Sequence, residues 1–146
     1  MKKQIESEIE INASPERVWK VLTDFEEHPS WNPFIKELRG KTIEGERLRV
    51  FIQPQGGKGM VFKPTVLKSE ENRELRWLGR LLLPGLFDGE HYFRIEDIGN
   101  DRVRFIQGEN FSGILVRLFA NSLDDGTLKG FQQMNEALKQ RAEGKE

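Results

Sequence analysis

The sequence is constrained most by a long run of two-residue alternation that ends in a single helical repeat. From residue 35 to residue 111, apolar and polar residues alternate in segments separated by turn residues, which is typical of half-buried antiparallel strands. After residue 113 the apolar residues recur every three or four positions, which predicts one long helix with one core face. A run of about six consecutive strands must curl, and the final helix is the element around which it can curl. The helical stripe consists of Leu123, Thr127, Phe131, Met134 and Leu138.

Two glycines interrupt this helical pattern. Gly126 and Gly130 each cost about 1 kcal/mol of helix stability relative to alanine, so we expect a structural reason for their lack of a side chain. Either the helix approaches another element closely at these positions, or the chain breaks there into two helical segments.

The N-terminal region predicts a further strand and a well-marked helix start. Within residues 3–12, Ile5, Ser7, Ile9 and Ile11 alternate with Glu6, Glu8 and Glu10, which predicts a strand with one dry face and one acidic face. Ser14, Pro15 and Glu16 then supply a capping hydroxyl, a proline where no donor is lost, and an acid near the positive end of the helix dipole. Residues 25–34 contain two prolines, so we expect a short second helix or an irregular bend.

These patterns together predict an α+β fold. A curved antiparallel sheet of about seven strands wraps around the long C-terminal helix, and two short helices lie between strands 1 and 2. Of the 146 residues, 36% are hydrophobic and 32% are charged, a balance typical of globular proteins. We expect one domain that spans residues 1–146.

Charge and composition argue against several classes of partner. The 23 basic and 24 acidic residues are spread along the chain, so no long-range field attracts nucleic acid or an anionic membrane. The longest apolar run, residues 81–87, is far too short to cross a bilayer. Cysteine is absent, which fits a reducing compartment, and the N-terminal residues lack the apolar segment of a secretory signal. We therefore expect a cytoplasmic protein with no membrane span and no nucleic-acid partner.

The strand predicted at residues 103–111 carries two polar side chains on its dry face. Arg102 and Arg104 mark the opposite face as the wet one. Gln107 and Glu109 then point inward among aromatic residues, and a carboxylate on an apolar face needs a partner, trapped water or a ligand. This strand therefore predicts a lined internal pocket.

Turn parity predicts which residues face this strand from its neighbour. A three-residue loop at 99–101 places His91 opposite Glu109 and Phe93 opposite Gln107, with Cβ atoms about 4.5–5.5 Å apart. An imidazole beside a carboxylate can orient a ligand carbonyl or hydroxyl, or it can move a proton. His91 and Glu109 are therefore the candidate catalytic residues, with a satisfied structural contact as the alternative.

Inward-facing aromatic residues would either form the apolar walls of such a pocket or fill the core. Gly79 would lie opposite His91 if the preceding hairpin centres on Gly85, which leaves space for a ligand over the histidine and glutamate. The predicted ligand-binding residues are Trp31, Trp77, His91, Phe93, Gln107, Glu109 and Phe111.

Other kinds of site are poorly supported by the sequence. With two histidines, no cysteine and no H-E-x-x-H spacing, we expect no metal site and no cofactor, and His28, beside Pro29, is expected to be exposed. The glycines at residues 55–58 lack the phosphate-loop spacing and predict a hairpin turn. The apolar hairpin tip at residues 82–87 is either the rim of a pocket or a contact with a neighbouring loop or a second subunit, so a homodimer is one of the expectations.

Five motifs carry a resemblance that extends over nearly the whole chain: Ile9–Trp19, Trp31–Phe34, Leu75–Trp77, Gly89–His91 and Glu109–Gly113. With these motifs the sequence resembles the SRPBCC superfamily, which includes START domains, the major birch pollen allergen and the polyketide cyclase/dehydrase-like families. The first motif is the most specific. The resemblance implies the helix-grip fold, with a deep hydrophobic cavity between the sheet and the C-terminal helix.

Three functional hypotheses follow, because fold alone does not determine function. The first is a protein that binds a small hydrophobic or amphipathic molecule, lipid-like or polyketide-like, in the cavity. The second is an enzyme similar to the cyclase/aromatase branch, in which His91 or Glu109 acts as general base for an aldol-type ring closure. The third is an interaction module like the activator of the heat-shock-protein-90 ATPase, with a filled interior and a functional surface.

Overall fold

The strands form most of the chain. The computed structural model describes residues 2–53, 58–81, 85–118 and 126–144. The strands are β1 (Lys2–Ile11), β2 (Ile35–Arg39), β3 (Arg49–Ile52), β4 (Met60–Phe62), β5 (Thr65–Glu70), β6 (Glu74–Leu81), β7 (Phe87–Gly99) and β8 (Arg102–Ser112). The helices are α1 (Pro15–Thr23), α2 (His28–Trp31) and α3 (Leu128–Ala142), and a 3₁₀ turn at Phe25–Glu27 precedes α2.

The strands are arranged in two antiparallel sheets. The larger has the order β1-β8-β7-β6-β5, and the smaller has the order β2-β3-β4. Backbone hydrogen bonds connect them, since the Leu48 amide donates to the Pro64 carbonyl and the Val66 amide to the Glu46 carbonyl, each at 2.8 Å. Helix α3 packs against β1, β8 and α1. The predicted α+β architecture of a curved antiparallel sheet with a C-terminal helix is confirmed, although the strands are divided between two sheets.

Some predicted features lie wholly or partly outside the described residues. These are most of the turn at residues 55–58, Leu123 of the helical stripe, and residues 82–84 of the apolar hairpin tip. In the described part of that tip, the carbonyls of Gly85 and Leu86 accept hydrogen bonds from Ile114 and Leu115. Among the described helices, none has both the length and the apolar character that a bilayer crossing requires.

The register of β7 with β8 is the one that turn parity predicts. His91 lies opposite Glu109, and Phe93 lies opposite Gln107. The connection itself differs from the predicted three-residue loop, because Asn100 and Asp101 form a two-residue turn with φ of 58° and 55°. A register shift between residues 97 and 99 accommodates the additional residue. Such a bulge keeps the inward faces of both strands aligned.

The outer face of the larger sheet is not wholly wet, contrary to the prediction. Tyr92 is buried there, with the guanidinium groups of Arg76 and Arg94 at 4.8 and 5.1 Å from its ring centroid. A Cβ at Gly108 would overlap the Tyr92 hydroxyl, so the neighbouring strand must leave this space open. The hydroxyl donates a hydrogen bond to Glu6, and burial followed by this contact raises the pKa of Tyr92 to about 12.

Helix α1 begins as its sequence predicts. The Ser14 hydroxyl accepts a hydrogen bond from the Arg17 amide at 3.1 Å, which satisfies one of the free amides at the helix start. Pro15 occupies the first turn, and the apolar stripe of the helix is buried. The chain then enters the bend that leads to β2.

His28 is fully buried in this bend, so the prediction that it is exposed is wrong. Its Nε2 lies 2.7 Å from the Leu22 carbonyl and its Nδ1 lies 3.1 Å from the Asn32 side-chain amide. The Asn32 oxygen in turn accepts from the amides of Phe34 and Ile35, both at 2.9 Å. This arrangement requires a neutral imidazole that carries its proton on Nε2. The imidazole therefore supplies the hydrogen bond that the buried Leu22 carbonyl needs in the absence of water.

The two glycines near the start of α3 have different surroundings. A Cβ at Gly130 would overlap the ring of Phe34, which itself packs edge-on against Phe131 with centroids 5.7 Å apart. Gly126 lies before α3, and a Cβ there would meet no atom within 4 Å. Close approach of another element therefore explains Gly130 but not Gly126.

Replacing Gly130 with alanine should lower the free energy of unfolding by about 1–3 kcal/mol, because the cost of displacing the Phe34 ring outweighs the gain in helix propensity. Gly126→Ala is the matched control and should be neutral or raise stability by up to about 1 kcal/mol. Urea unfolding of both variants measures the difference. Equal stability of the two variants would show that the helix does not need the space at Gly130.

Protonation of His28 should destabilise the fold in acid. Burial lowers the pKa of His28 to about 4 from 6.5, and the Leu22 carbonyl and Asp24 oppose this shift only partly. Its stabilising contribution is therefore complete above pH 6.5 and is lost as the pH falls towards 4, by about 3 kcal/mol in total. Unfolding free energies between pH 7 and 4 should fall less steeply in His28→Gln than in the wild type. Parallel pH profiles would contradict the assignment.

Candidate functional site

The inner face of the larger sheet is organised in rows of side chains that run across the strands. Antiparallel pairing places residues from neighbouring strands side by side on the same face. The central row contains Trp77, His91, Glu109 and Ile5. The row on one side contains Leu75, Phe93, Gln107 and Ser7, and the row on the other side contains Gly79, Gly89 and Phe111.

His91 is enclosed by aromatic rings from both the sheet and the helix. Its side chain is 1% exposed. Its ring centroid lies 5.3 Å from that of Trp77, 4.6 Å from that of Phe93 and 5.0 Å from that of Phe131 on α3. The imidazole is therefore fixed between the sheet and the helix, and only its nitrogens are available for polar contacts.

A chain of hydrogen bonds runs from His91 across to α3 and back to β1. The His91 Nε2 lies 3.0 Å from the Gln107 side-chain oxygen, and the Gln107 nitrogen donates to the Asn135 oxygen at 2.8 Å. The Asn135 nitrogen donates to the Ser7 hydroxyl, also at 2.8 Å. We call Glu109, His91, Gln107, Asn135 and Ser7 the polar chain. Because the buried amides of Gln107 and Asn135 have partners, these polar groups are tolerated in an apolar interior.

Two backbone carbonyls fix the direction of the polar chain. The Ser7 hydroxyl donates to the Gln107 carbonyl at 3.4 Å, and the Gln107 side-chain nitrogen approaches the Phe131 carbonyl at 3.5 Å. A carbonyl only accepts, so the network assigns the amide oxygen of Gln107 to the side that faces His91. The imidazole must therefore carry a proton on Nε2.

Glu109 joins the polar chain to solvent. Its side chain is 18% exposed, and one carboxylate oxygen lies 3.3 Å from the His91 Nδ1. This distance is that of an ion pair, but the approach is not in line for a hydrogen bond, and Nδ1 has no hydrogen-bond partner among the described residues. The second oxygen lies over Gly89, where a Cβ would overlap it. One oxygen of the carboxylate thus faces His91, and the other lies over Gly89, which has no side chain.

Of the two glycines beside the central row, Gly79 leaves the sheet bare, whereas the Glu109 carboxylate lies over Gly89. Gly79 lies opposite Gly89, and a Cβ at Gly79 would meet nothing closer than 3.9 Å. We call this bare part of the inner face the glycine recess. Phe111 lies beside Gly89 in the same row, and its ring centroid is 5.9 Å from that of Phe87. The glycine recess is therefore bordered by aromatic rings and by the Glu109 carboxylate.

The predicted position of Gly79 opposite His91 is wrong. The register of β6 with β7 places Trp77 there instead, which moves Gly79 one row along the sheet. The aromatic ring covers His91, and the open space lies beside the histidine and glutamate rather than over them.

Most of the predicted binding residues come together, and Trp31 does not. Trp77, Phe93, His91 and Gln107 are buried next to one another. Trp31 lies on α2, where its ring centroid is 4.7 Å from that of His28. Its contact with the bend, rather than with the central row, follows from the burial of His28.

Sequence reasoning missed two members of the polar chain, Ser7 and Asn135. Ser7 is a polar residue among the inward isoleucines of β1, and Asn135 follows Phe131 by four positions on the buried face of α3. Both signals are visible in the sequence as polar residues on apolar faces. Their contact with each other is not, because it depends on how α3 docks onto β1.

A concavity lies on the opposite face of the sheet. It has a volume of about 630 Å³, and Gln4, Leu78, Glu90 and Asn110 are among the residues that line it. These residues alternate with those of the inner rows, so this outer groove faces away from His91. Phe111, which borders the glycine recess, also lines this groove, so the two regions meet at that residue. Among the described residues, no group of three or more potential ligands could hold a metal ion.

Solved structures share this fold at low sequence identity. The aromatase/cyclase Zhui from Streptomyces sp. R1128 has a TM-score of 0.79 and 13% identity over 98% of this chain and 94% of its own. A START superfamily protein from Mycobacterium smegmatis has a TM-score of 0.68 and 24% identity over 96% and 97%. Norcoclaurine synthase from Thalictrum flavum, solved with dopamine and hydroxybenzaldehyde, has a TM-score of 0.73 and 16% identity over 100% and 90%.

At these identities the structural likeness establishes the fold. No match is found among curated proteins. The family model described as polyketide cyclase/dehydrase and lipid transport matches residues 2–143. Because this match spans nearly the whole chain and the fold agrees with it, the protein belongs to the polyketide cyclase/dehydrase and lipid transport family.

Proposed function

We propose that the protein binds a small hydrophobic or amphipathic molecule between the larger sheet and α3. The apolar part of the ligand lies over Gly79, and its polar group meets Glu109, whose carboxylate lies over the neighbouring Gly89. The observation that carries this proposal is a buried polar chain that ends in a partly exposed carboxylate beside a bare part of the sheet. Pockets with apolar walls and a few convergent polar groups are typical small-molecule sites.

The apolar surroundings favour a ligand with a hydrophobic body. Trp77, Phe87 and Phe111 border the glycine recess. Burying about 150 Å² of apolar ligand surface contributes about 4 kcal/mol, which corresponds to about millimolar binding by itself. The polar contact at Glu109 therefore decides whether binding is tighter and more selective.

The family relationship supports the same proposal. Its description covers both polyketide cyclases and lipid transport, and the norcoclaurine synthase structure contains two small aromatic molecules. These relatives support an internal ligand of modest size. The chemical class of the ligand is inferred from the residues of this chain that border the glycine recess.

Filling the glycine recess should block binding. We expect wild-type protein to bind 2-naphthol saturably, and Gly79→Leu to weaken binding at least tenfold, since the new side chain occupies the space of the ring. Quenching of tryptophan fluorescence measures binding, because Trp77 borders the recess.

Arg80→Leu is the matched control, because it adds the same side chain one position along β6 on the outer face. It should bind 2-naphthol as the wild type does. Weaker binding in Arg80→Leu with unchanged binding in Gly79→Leu would place the ligand in the outer groove and contradict the proposal.

A second candidate function is ring closure of a polyketide-like substrate. It is favoured by the buried His91 Nδ1, which has no hydrogen-bond partner among the described residues and lies 3.3 Å from Glu109. In this reaction the histidine or glutamate removes a proton from a carbon next to a carbonyl, and the resulting carbanion attacks a second carbonyl. Binding and ring closure would use the same recess.

His91→Gln and Glu109→Gln should each lower turnover of a synthetic poly-β-ketothioester by about 10²–10⁴-fold while the substrate still binds. Formation of the aromatic product is followed by ultraviolet absorbance. Glu96→Gln on the exposed outer side of β7 is the control and should keep full activity. Unchanged turnover in both site variants would remove the catalytic assignment and leave the binding proposal intact.

A further inference from the structure

We propose that the apolar tail of the ligand leaves the glycine recess along the inner face of the hairpin that β3 and β4 form, and that Met60 lies at the open end of this path. This inference rests on the proposed binding function. It assigns to the site an elongated amphiphile, with a polar group at Glu109 and an unbranched apolar tail. The register of the hairpin and the exposure of its inward residues carry the inference.

The glycine recess and the hairpin adjoin each other at Pro64. A Cβ at Gly79 would lie 3.9 Å from the Cβ of Pro64. Pro64 is buried and follows the last residue of β4, Phe62, by two positions. The segment that borders the recess is therefore a direct continuation of β4.

The pairing of this segment with β3 shows which of its residues face inward. Phe62 lies opposite Val50, and the Leu48 amide donates to the Pro64 carbonyl at 2.8 Å, which continues the same pairing two residues further. Opposite residues of an antiparallel pair face the same side, and so do alternate residues along a strand. Val50 and Leu48 are both buried in the core. Pro64, Phe62 and Met60 therefore all lie on the core side of the hairpin.

The exposure of these inward residues rises along the hairpin. Pro64 is buried, Phe62 is half-buried and Met60 is 48% exposed. Ile52, which lies opposite Met60, is half-buried as well. At about 3.3 Å per residue, Met60 lies about 13 Å from Pro64. The inner face of the hairpin thus leads from the recess to the surface of the protein.

The side chains along this path favour an alkyl chain. Ile52, Phe62 and Met60 are apolar, and the flexible methionine side chain adapts to the shape of its neighbours. Each methylene group that is buried here tightens binding by about fourfold. A charged tail would lose its hydration without gaining a partner from these three side chains. The path therefore selects an unbranched apolar tail.

The probe that tests this inference is 6-octyl-2-naphthol, which carries the alkyl tail at the opposite end of the ring from the hydroxyl. Wild-type protein should bind it more tightly than 2-naphthol, by about tenfold or more, because the tail is buried along the hairpin. Met60→Glu should weaken its binding by about fivefold or more, since the new carboxylate is placed against the tail. Binding of 2-naphthol should not change in this variant. Quenching of tryptophan fluorescence measures both affinities.

Val61→Glu is the matched control. Val61 is the next residue of β4, it is 42% exposed, and it lies on the opposite face of the hairpin. The same carboxylate there should leave the affinities for both probes at their wild-type values. Both substituted positions are exposed, so both variants should fold, and thermal unfolding checks this.

The methyl resonances of wild-type protein, measured by NMR, test the path without any substitution. Saturation with 6-octyl-2-naphthol should shift the Met60 methyl signal and leave the Val61 methyl signals in place. Saturation with 2-naphthol should shift neither. An unchanged Met60 signal in the complex with 6-octyl-2-naphthol would overturn the inference.

The outcomes distinguish this inference from the proposed function. If neither probe binds to folded wild-type protein, the proposed function fails and the inference fails with it. If 2-naphthol binds and Gly79→Leu blocks it, but Met60→Glu and Val61→Glu bind 6-octyl-2-naphthol equally well, only the inference fails. Stronger weakening by Val61→Glu than by Met60→Glu would place the tail on the other face of the hairpin and would also overturn it.

Discussion

The hydrogen bond between Gln107 and Asn135 is the contact on which the candidate site depends. It joins the inner face of β8 to the buried face of α3 at 2.8 Å. Without it, the Gln107 amide would be a buried polar group with an incomplete set of partners, at a cost of about 1–3 kcal/mol. With it, the helix holds the amide in one orientation, the amide holds His91 in one tautomer, and His91 faces Glu109. The packing of α3 against the sheet therefore also determines how His91 is oriented beside the glycine recess.

The sequence predicts the parts of this site that strand geometry determines. Because side chains alternate along a strand, the inward placement of His91, Gln107 and Glu109 follows from the pattern, and the predicted pairing of His91 with Glu109 is confirmed. The position of Gly79 depends on the register of β6 with β7, which places Gly79 one row away from the predicted position. The contact of Asn135 with Ser7 joins residues that are 128 positions apart, and only the docking of α3 creates it.

His28 and Tyr92 show a second limit of sequence patterns. His28 was expected to be exposed, and the sheet face that carries Tyr92 was expected to be wet. Both residues are instead buried, because neighbouring groups satisfy them. His28 connects the Leu22 carbonyl to Asn32, while the Tyr92 ring is covered by two arginines. Alternation predicts which face a side chain occupies, but it does not predict what covers that face. The outer groove is lined in part by Gln4, whose side-chain amide donates to the Tyr92 hydroxyl at 2.9 Å.

The fold of this family does not determine the function. The residues on the inner face of the sheet narrow the range of possible ligands. A row with two glycines, bordered by aromatic rings and by one end of a buried polar chain, favours an apolar ligand with a single polar contact. A crystal structure of the wild-type protein with 2-naphthol tests this account most directly. The account predicts the naphthalene ring over Gly79 and the hydroxyl oxygen at about 2.7 Å from Glu109. A ring bound in the outer groove, with the glycine recess unchanged, would contradict it.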